Sequence, residues 1–120
     1  MGNSILFVDD DPDLREIVSD QLSASGYDVD SAEDGELAID KLQEKNYEVV
    51  LLDITMPNKN GMDVLRFTKD HSMGCKVIML TGMVGLSIAI ESIKLGAADY
   101  ITKPYNMDYL LSSIKRALEK

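Results

Sequence analysis

The sequence contains no tryptophan, one cysteine, one histidine and three prolines in 120 residues. A lone cysteine excludes an internal disulfide and suits a reducing, cytoplasmic setting. Cys75 opens an apolar run, where a free cysteine ordinarily serves packing. His71 falls at the polar end of a helical stretch and reads as solvated surface, so no histidine is placed for catalysis. Basic residues are also scarce. Twelve stand against 21 acidic ones, a net charge of −9, which argues against direct binding of nucleic acid or an anionic membrane and is compatible with a cation site. No apolar run approaches the roughly 20 residues that span a bilayer. The opening Met1-Gly2-Asn3-Ser4 lacks the basic region of a secretory signal. Low-complexity segments, linkers and internal repeats are absent too.

What is present is an alternation of short apolar runs and amphipathic stretches. Hydrophobic residues make up 45% of the chain, enough for a real core in one domain spanning 1–120. Ser4-Ile5-Leu6-Phe7-Val8 reads as a strand ending at Asp9-Asp10-Asp11. Pro12 suits the first position of a helix, with Asp11 as its cap. Leu14, Ile17, Val18 and Leu22 recur at helical spacing before Gly26. Tyr27 to Ser31 alternates, as an outer strand does. Asp34-Gly35 opens a helix whose apolar side is Leu37, Ala38, Ile39 and Leu42, with Asn46 as a stop.

Val49-Val50-Leu51-Leu52 then runs straight into Asp53, a pattern expected of a strand buried on both faces, and Pro57 prevents the ladder from continuing. Asn58 to Gly61 is a polar loop that caps a helix carrying Val64, Leu65 and Thr68. Lys76 to Leu80 is another apolar strand, ending at Thr81-Gly82. Ile88, Ala89, Ile93 and Leu95 lie on a fourth helix, Asp99 to Thr102 form a fifth strand before Lys103-Pro104, and Asn106 caps a last helix with Leu110, Leu111, Ile114 and Leu118 inside.

Five strand–helix units imply an α/β fold: a parallel sheet doubly wound with five helices. The continuous apolar first and third strands belong at the centre and the polar second strand outside. With right-handed crossovers, this fits the order 2-1-3-4-5 of flavodoxin-like sheets. Ligands of such sheets bind beyond the carboxyl ends of the strands, where strand order reverses. Asp9, Asp10 and Asp53 should meet there, with Thr81 and Lys103 on the same rim. An aspartate after a strand is often only a turn residue or helix cap; three converging on one rim call for a counter-charge. Their oxygen donors suit Mg²⁺. A carboxylate nucleophile, a metal, an ammonium and a hydroxyl together make a phosphoryl-transfer set.

These residues carry a resemblance. Val8-Asp9-Asp10, Asp53 with Met56-Pro57, Thr81-Gly82, and Tyr100-Ile101-Thr102-Lys103-Pro104 each end a strand, in order. Together they resemble the receiver domain of bacterial two-component response regulators over essentially the whole chain. The resemblance implies that Asp53 is the phosphoacceptor. It makes Asp10, Asp53 and the backbone carbonyl of Thr55 direct ligands of Mg²⁺ (Mn²⁺ serving as a substitute), with Asp9 acting mainly through metal-bound water. Lys103 would pair with the phosphoryl group, Thr81 would bond a phosphoryl oxygen, and Tyr100 would turn inward as Thr81 moves. The Lys103-Pro104 bond is expected to be cis. Asp11, in contrast, matches no metal ligand and is read as a cap.

The implied partners are a histidine kinase or histidine phosphotransfer protein, and a second receiver when phosphorylated. The face of the fourth helix, fifth strand and fifth helix, with Tyr105, Tyr109 and Leu111 nearby, would serve binding. Such a protein is a switch that catalyses its own modification, not an enzyme that turns over a metabolite. It can stand alone or form the receiver part of a longer chain.

Two other readings share the chemistry. A small Mg²⁺-dependent phosphatase of the haloacid-dehalogenase type would need a second acid two residues after the nucleophile, where Thr55 stands. A flavodoxin-like cofactor module would need a phosphate loop where three aspartates follow the first strand. Thr55 and Met83 occupy positions that tune phosphoryl loss in the family, and Thr55 lacks the carboxamide of fast-hydrolysing members. A fairly long-lived phosphoryl state is expected, with Met83 shielding it from water. Half-life measurements on Thr55→Asn and Met83→Glu should show faster loss; unchanged lifetimes in both would remove these side chains from the account.

Overall fold

Strand β1 (Ser4–Val8) and strand β3 (Val49–Asp53) lie side by side at the middle of a five-stranded parallel sheet ordered β2-β1-β3-β4-β5. The remaining strands are β2 (Asp28–Ala32), β4 (Lys76–Thr81) and β5 (Asp99–Thr102). The computed structural model describes residues 3–54, 60–82 and 86–119. Every residue of β3 is buried, as its uninterrupted apolar run requires, whereas β2 buries only Ala32. That contrast places β3 inside and β2 at an edge.

The helices are α1 (Pro12–Ala24), α2 (Gly35–Glu44), α3 (Gly61–Asp70), α4 (Leu86–Lys94) and α5 (Met107–Leu118). Four begin on side-chain caps that accept backbone N–H groups: Asp11, Asp34, Asn60 and Asn106. Each cap satisfies donors that the first helical turn cannot.

Period-two alternation along the strands divides the core. Ile5, Phe7, Leu51, Ile78, Leu80 and Ile101 face one side, where Val18 and Leu22 of α1 and Leu110 and Ile114 of α5 cover them. Leu6, Val8, Val50, Leu52, Val77 and Met79 face the other, beneath Ala38 and Leu42 of α2 and Val64 and Leu65 of α3.

Three apolar residues assigned to helix interiors by spacing are instead exposed: Ile17, Leu37 and Ile93. Each lies on the flank of a stripe whose centre is already filled, by Val18 and Leu22, by Ala38 and Leu42, and by Ser92. Helical periodicity marks a face but not its width. Strand β2 runs one residue later than its alternation suggests, and α2 ends at Glu44 with Lys45 as its cap, before Asn46. Cys75 is half-buried against the core, and burial pushes its thiol pKa up, in keeping with packing rather than reactivity.

The edge strand is tied by a polar cluster. The Tyr47 hydroxyl donates to Asp30 Oδ2 at 2.7 Å, and Lys45 Nζ reaches Asp28 and Asp30 at 3.2 and 3.1 Å. The Tyr47 hydroxyl is the main reason the Asp30 carboxyl titrates below its ordinary value of 3.8. A carboxyl with a lowered folded pKa contributes stability above its unfolded pKa and loses it as pH falls through the folded one. Tyr47→Phe should therefore destabilise the protein at neutral pH by about 0.5–1 kcal/mol, the bond being partly exposed to water. Denaturant melts should show the gap between variant and wild type narrowing below pH 3.8.

Candidate functional site

Beyond the carboxyl ends of β1 and β3, where strand order reverses, three carboxylates converge. One oxygen from each of Asp9, Asp10 and Asp53 lies within 4.8 Å of the others. Asp53 is the last residue of β3, and the register that sets Val8 opposite Leu52 brings Asp9 alongside it. Thr81 ends β4 and faces Thr102 at the end of β5, so Lys103 emerges on the same rim. The Lys103 N–H also donates to the Thr81 carbonyl at 2.6 Å. The Lys103-Pro104 bond is cis, as the resemblance implies.

Asp9 and Asp53 are buried, Asp10 exposed. Buried carboxylates require a partner, and Lys103 supplies it to both: its Nζ lies 2.9 Å from Asp9 Oδ2 and 3.4 Å from Asp53 Oδ2. Burial is the largest influence on the Lys103 pKa and opposes its charge. The hydrogen bond to Asp9 and the charges of Asp9 and Asp53 outweigh it, and the pKa is raised above the ordinary 10.5. The lysine therefore stays charged throughout the neutral range. Among the described residues, one ammonium contacts two of the three carboxylates.

Every polar group of Asp9 is engaged. Its N–H donates to Ala32 O at 3.1 Å, Oδ1 accepts from the Asp11 N–H at 2.9 Å, and Oδ2 accepts from Lys103. Its carbonyl accepts from Arg15 Nη1 at 2.7 Å. Thr81 is buried. The Tyr100 hydroxyl is shut off from solvent without a hydrogen-bond partner among the described residues, and burial raises its pKa. His71 is exposed, as expected.

The structure thus brings together Asp9, Asp10, Asp53, Thr81 and Lys103. Thr55 and Met83, together with Met56-Pro57, lie outside the described residues. Two contributors escaped the reading of the sequence. Arg15 stands six positions after Asp9 and reaches back to it. Gly61 donates its N–H to Ile54 O at 3.0 Å, and any Cβ there would fall on the carbonyl oxygen of Asp53. A side chain at position 61 would thus push α3 away from the end of β3. A glycine in a polar loop before a helix is too common to have flagged either contact.

Over residues 5–115 the chain matches the response regulator receiver domain family, and it belongs to that family. It is 35% identical to the chemotaxis protein CheY of Bacillus subtilis over 119 residues, covering 98% of this chain and 99% of that one. It is 32% identical to the regulatory protein AtoC of Escherichia coli over 117 residues, covering 98% of this chain but only 25% of AtoC. Among solved structures, a CheY-like receiver domain protein of Methanospirillum hungatei superposes with a TM-score of 0.95 at 32% identity, over 99% of this chain and 95% of that one. The fold is that of CheY-like receivers, whose role is that of phosphoacceptor in two-component signalling. Nothing favours the phosphatase or the flavodoxin-like reading.

Crowded like charges lower stability until a cation or a proton intervenes. In the presence of EDTA, Asp10→Ala should therefore melt a few degrees above wild type. Saturating divalent cation should shrink or reverse that gap, because only the intact site gains binding energy from it. Differential scanning calorimetry with and without the cation would measure both.

Proposed function

We propose that the chain is a phosphorylation switch in which Asp53 is the phosphoacceptor and a histidine kinase or histidine phosphotransfer protein is the donor. One observation carries this reading: the Asp9, Asp10 and Asp53 cluster, with Lys103 in contact with both buried members. The oxygen-only donor set fits Mg²⁺. Asp10 and Asp53 would hold it directly with the Thr55 carbonyl, and Asp9 mainly through water. When bound, the ion offsets the carboxylate charge and that of the incoming phosphoryl oxygens.

An Asp53 carboxylate oxygen attacks phosphorus in line with the scissile P–N bond. The O–P bond forms as that bond breaks, and the imidazole nitrogen keeps the electron pair. No base is needed, because the nucleophile is already ionised. Lys103, 3.4 Å from Asp53 Oδ2, is placed to transfer its ion pair to a phosphoryl oxygen. The Thr81 hydroxyl can donate to another.

Tyr100 sits on β5 two residues before Thr102, the neighbour of Thr81. A shift of Thr81 toward the phosphoryl group opens the space into which the Tyr100 ring turns. The surface it alters includes a cavity of about 280 Å³ lined by Tyr100, Pro104, Tyr105 and Tyr109. We assign partner binding to this face, including pairing with a second phosphorylated receiver. We further infer that 1–120 forms one receiver domain, either alone, as the end-to-end match to CheY suggests, or within a longer chain, as in AtoC. Among the described residues no helix is long and apolar enough to cross a membrane, in keeping with a cytoplasmic setting.

Incubation with a small phosphodonor and Mg²⁺ should add one phosphate, read by intact mass, and Asp53→Ala should abolish it while keeping a cooperative melt. An unmodified wild type, or labelling that survives in Asp53→Ala, would overturn the assignment.

A further inference from the structure

Arg15 is half-buried on the second turn of α1, yet among the described residues no carboxylate lies within ion-pair distance of its guanidinium. Its side chain instead donates to a backbone oxygen, the Asp9 carbonyl, at 2.7 Å. Helical side chains lean toward the helix N-terminus, so a long residue here reaches back over the Asp11 cap to the end of β1. A cation so close to a helix N-terminus gains nothing from the helix dipole. The contact with Asp9 is what this residue type supplies.

We propose that Arg15 is a positioning residue for the acidic rim. Its bond to the Asp9 carbonyl fixes the peptide joining Asp9 to Asp10, and so the directions in which the two carboxylates leave the turn. The other constraints on Asp9 act elsewhere: Ala32 holds its N–H, while Asp11 and Lys103 hold its carboxylate. Among the described residues Arg15 alone grips the carbonyl, the group covalently joined to Asp10. Asp10 is exposed, so its carboxylate depends on the backbone for its aim.

This proposal rests on reading the rim as a Mg²⁺ site, and it carries a sign. A guanidinium acting only as a nearby positive charge would repel Mg²⁺, and its removal would tighten binding. A guanidinium that shapes the turn would weaken binding when removed, as loss of outer contacts to metal ligands commonly does.

Mg²⁺ alone, titrated into wild type, Arg15→Ala, Arg15→Lys and Arg15→Gln and followed by backbone amide shifts, separates the two. Arg15→Ala should bind about tenfold more weakly, and Arg15→Lys should recover part of the loss, since an ammonium can donate to the same carbonyl. Melts in EDTA would report any purely structural effect, which would lower the melting temperature and leave Mg²⁺ affinity alone. Equal or tighter binding by Arg15→Ala would overturn the proposal. Should that variant fail to fold, wild-type affinity in both Arg15→Lys and Arg15→Gln would overturn it equally. If wild type itself bound no Mg²⁺, the reading of the rim would fall and this proposal with it; a defect absent from the variants alone would remove only the proposal.

Discussion

Two carboxylates are buried at the end of a parallel sheet, and the site depends on the Lys103 ammonium that contacts both. Asp9 and Asp53 are both buried, and buried carboxylates need a counter-charge. Lys103 contacts each, at 2.9 and 3.4 Å, and is itself held by the Thr81 carbonyl through its backbone. The ammonium does not neutralise the rim, because Asp10 adds a third charge. Among the described residues, the rim thus carries three carboxylates around one ammonium. Such a rim suits a chemical switch, which a small ligand must be able to tip.

The sheet explains why these residues meet. Asp9, Asp53 and Lys103 each stand two positions after a residue packed toward α1 and α5, namely Phe7, Leu51 and Ile101. Alternation carries all three toward the same side as the strands run out. Thr81 follows Leu80 of that same layer and so takes the opposite phase. Reversal of strand order between β1 and β3, which run parallel, leaves a crevice between them that no crossover covers. Core alternation and topology together aim the polar groups, without any of them having to stabilise the fold.

This is also why so much was legible in the residues alone. The unbroken apolar run of β3 announced a central strand, and each chemically distinctive residue stood directly after such a run. Relative apolarity then selected one known order of doubly wound sheets, and the rim followed from that order. What could not be read were contacts that depend on distance instead of pattern. Arg15 looks like any solvated helical arginine until its guanidinium is seen on the Asp9 carbonyl. Gly61 looks like a loop glycine until the carbonyl of Asp53 is found where its Cβ would go. Ile17, Leu37 and Ile93 satisfied helical periodicity and still lie outside, since the width of a buried stripe is set by what packs against it.

The exposed residues of α4 bear on how a change at Asp53 could travel. Ser92 is the one residue of Ser87–Lys94 that is fully buried, while Ile90 and Ile93 are exposed. An exposed pair, Arg66 and Glu91 at 2.8 Å, ties the helix to α3, and such pairs contribute little. By contrast α5 buries Leu110, Ile114 and Ala117 in the core, and Asp99 at the start of β5 holds it further through Ser113 and Arg116. Of the two helices flanking Tyr100, one is anchored and the other is lightly held. Elements with few buried contacts open at the lowest free-energy cost. A displacement passed from Thr81 to Tyr100 would therefore be taken up by α4 against a fixed α5, and the face between them would change shape while the phosphoacceptor rim stayed in register.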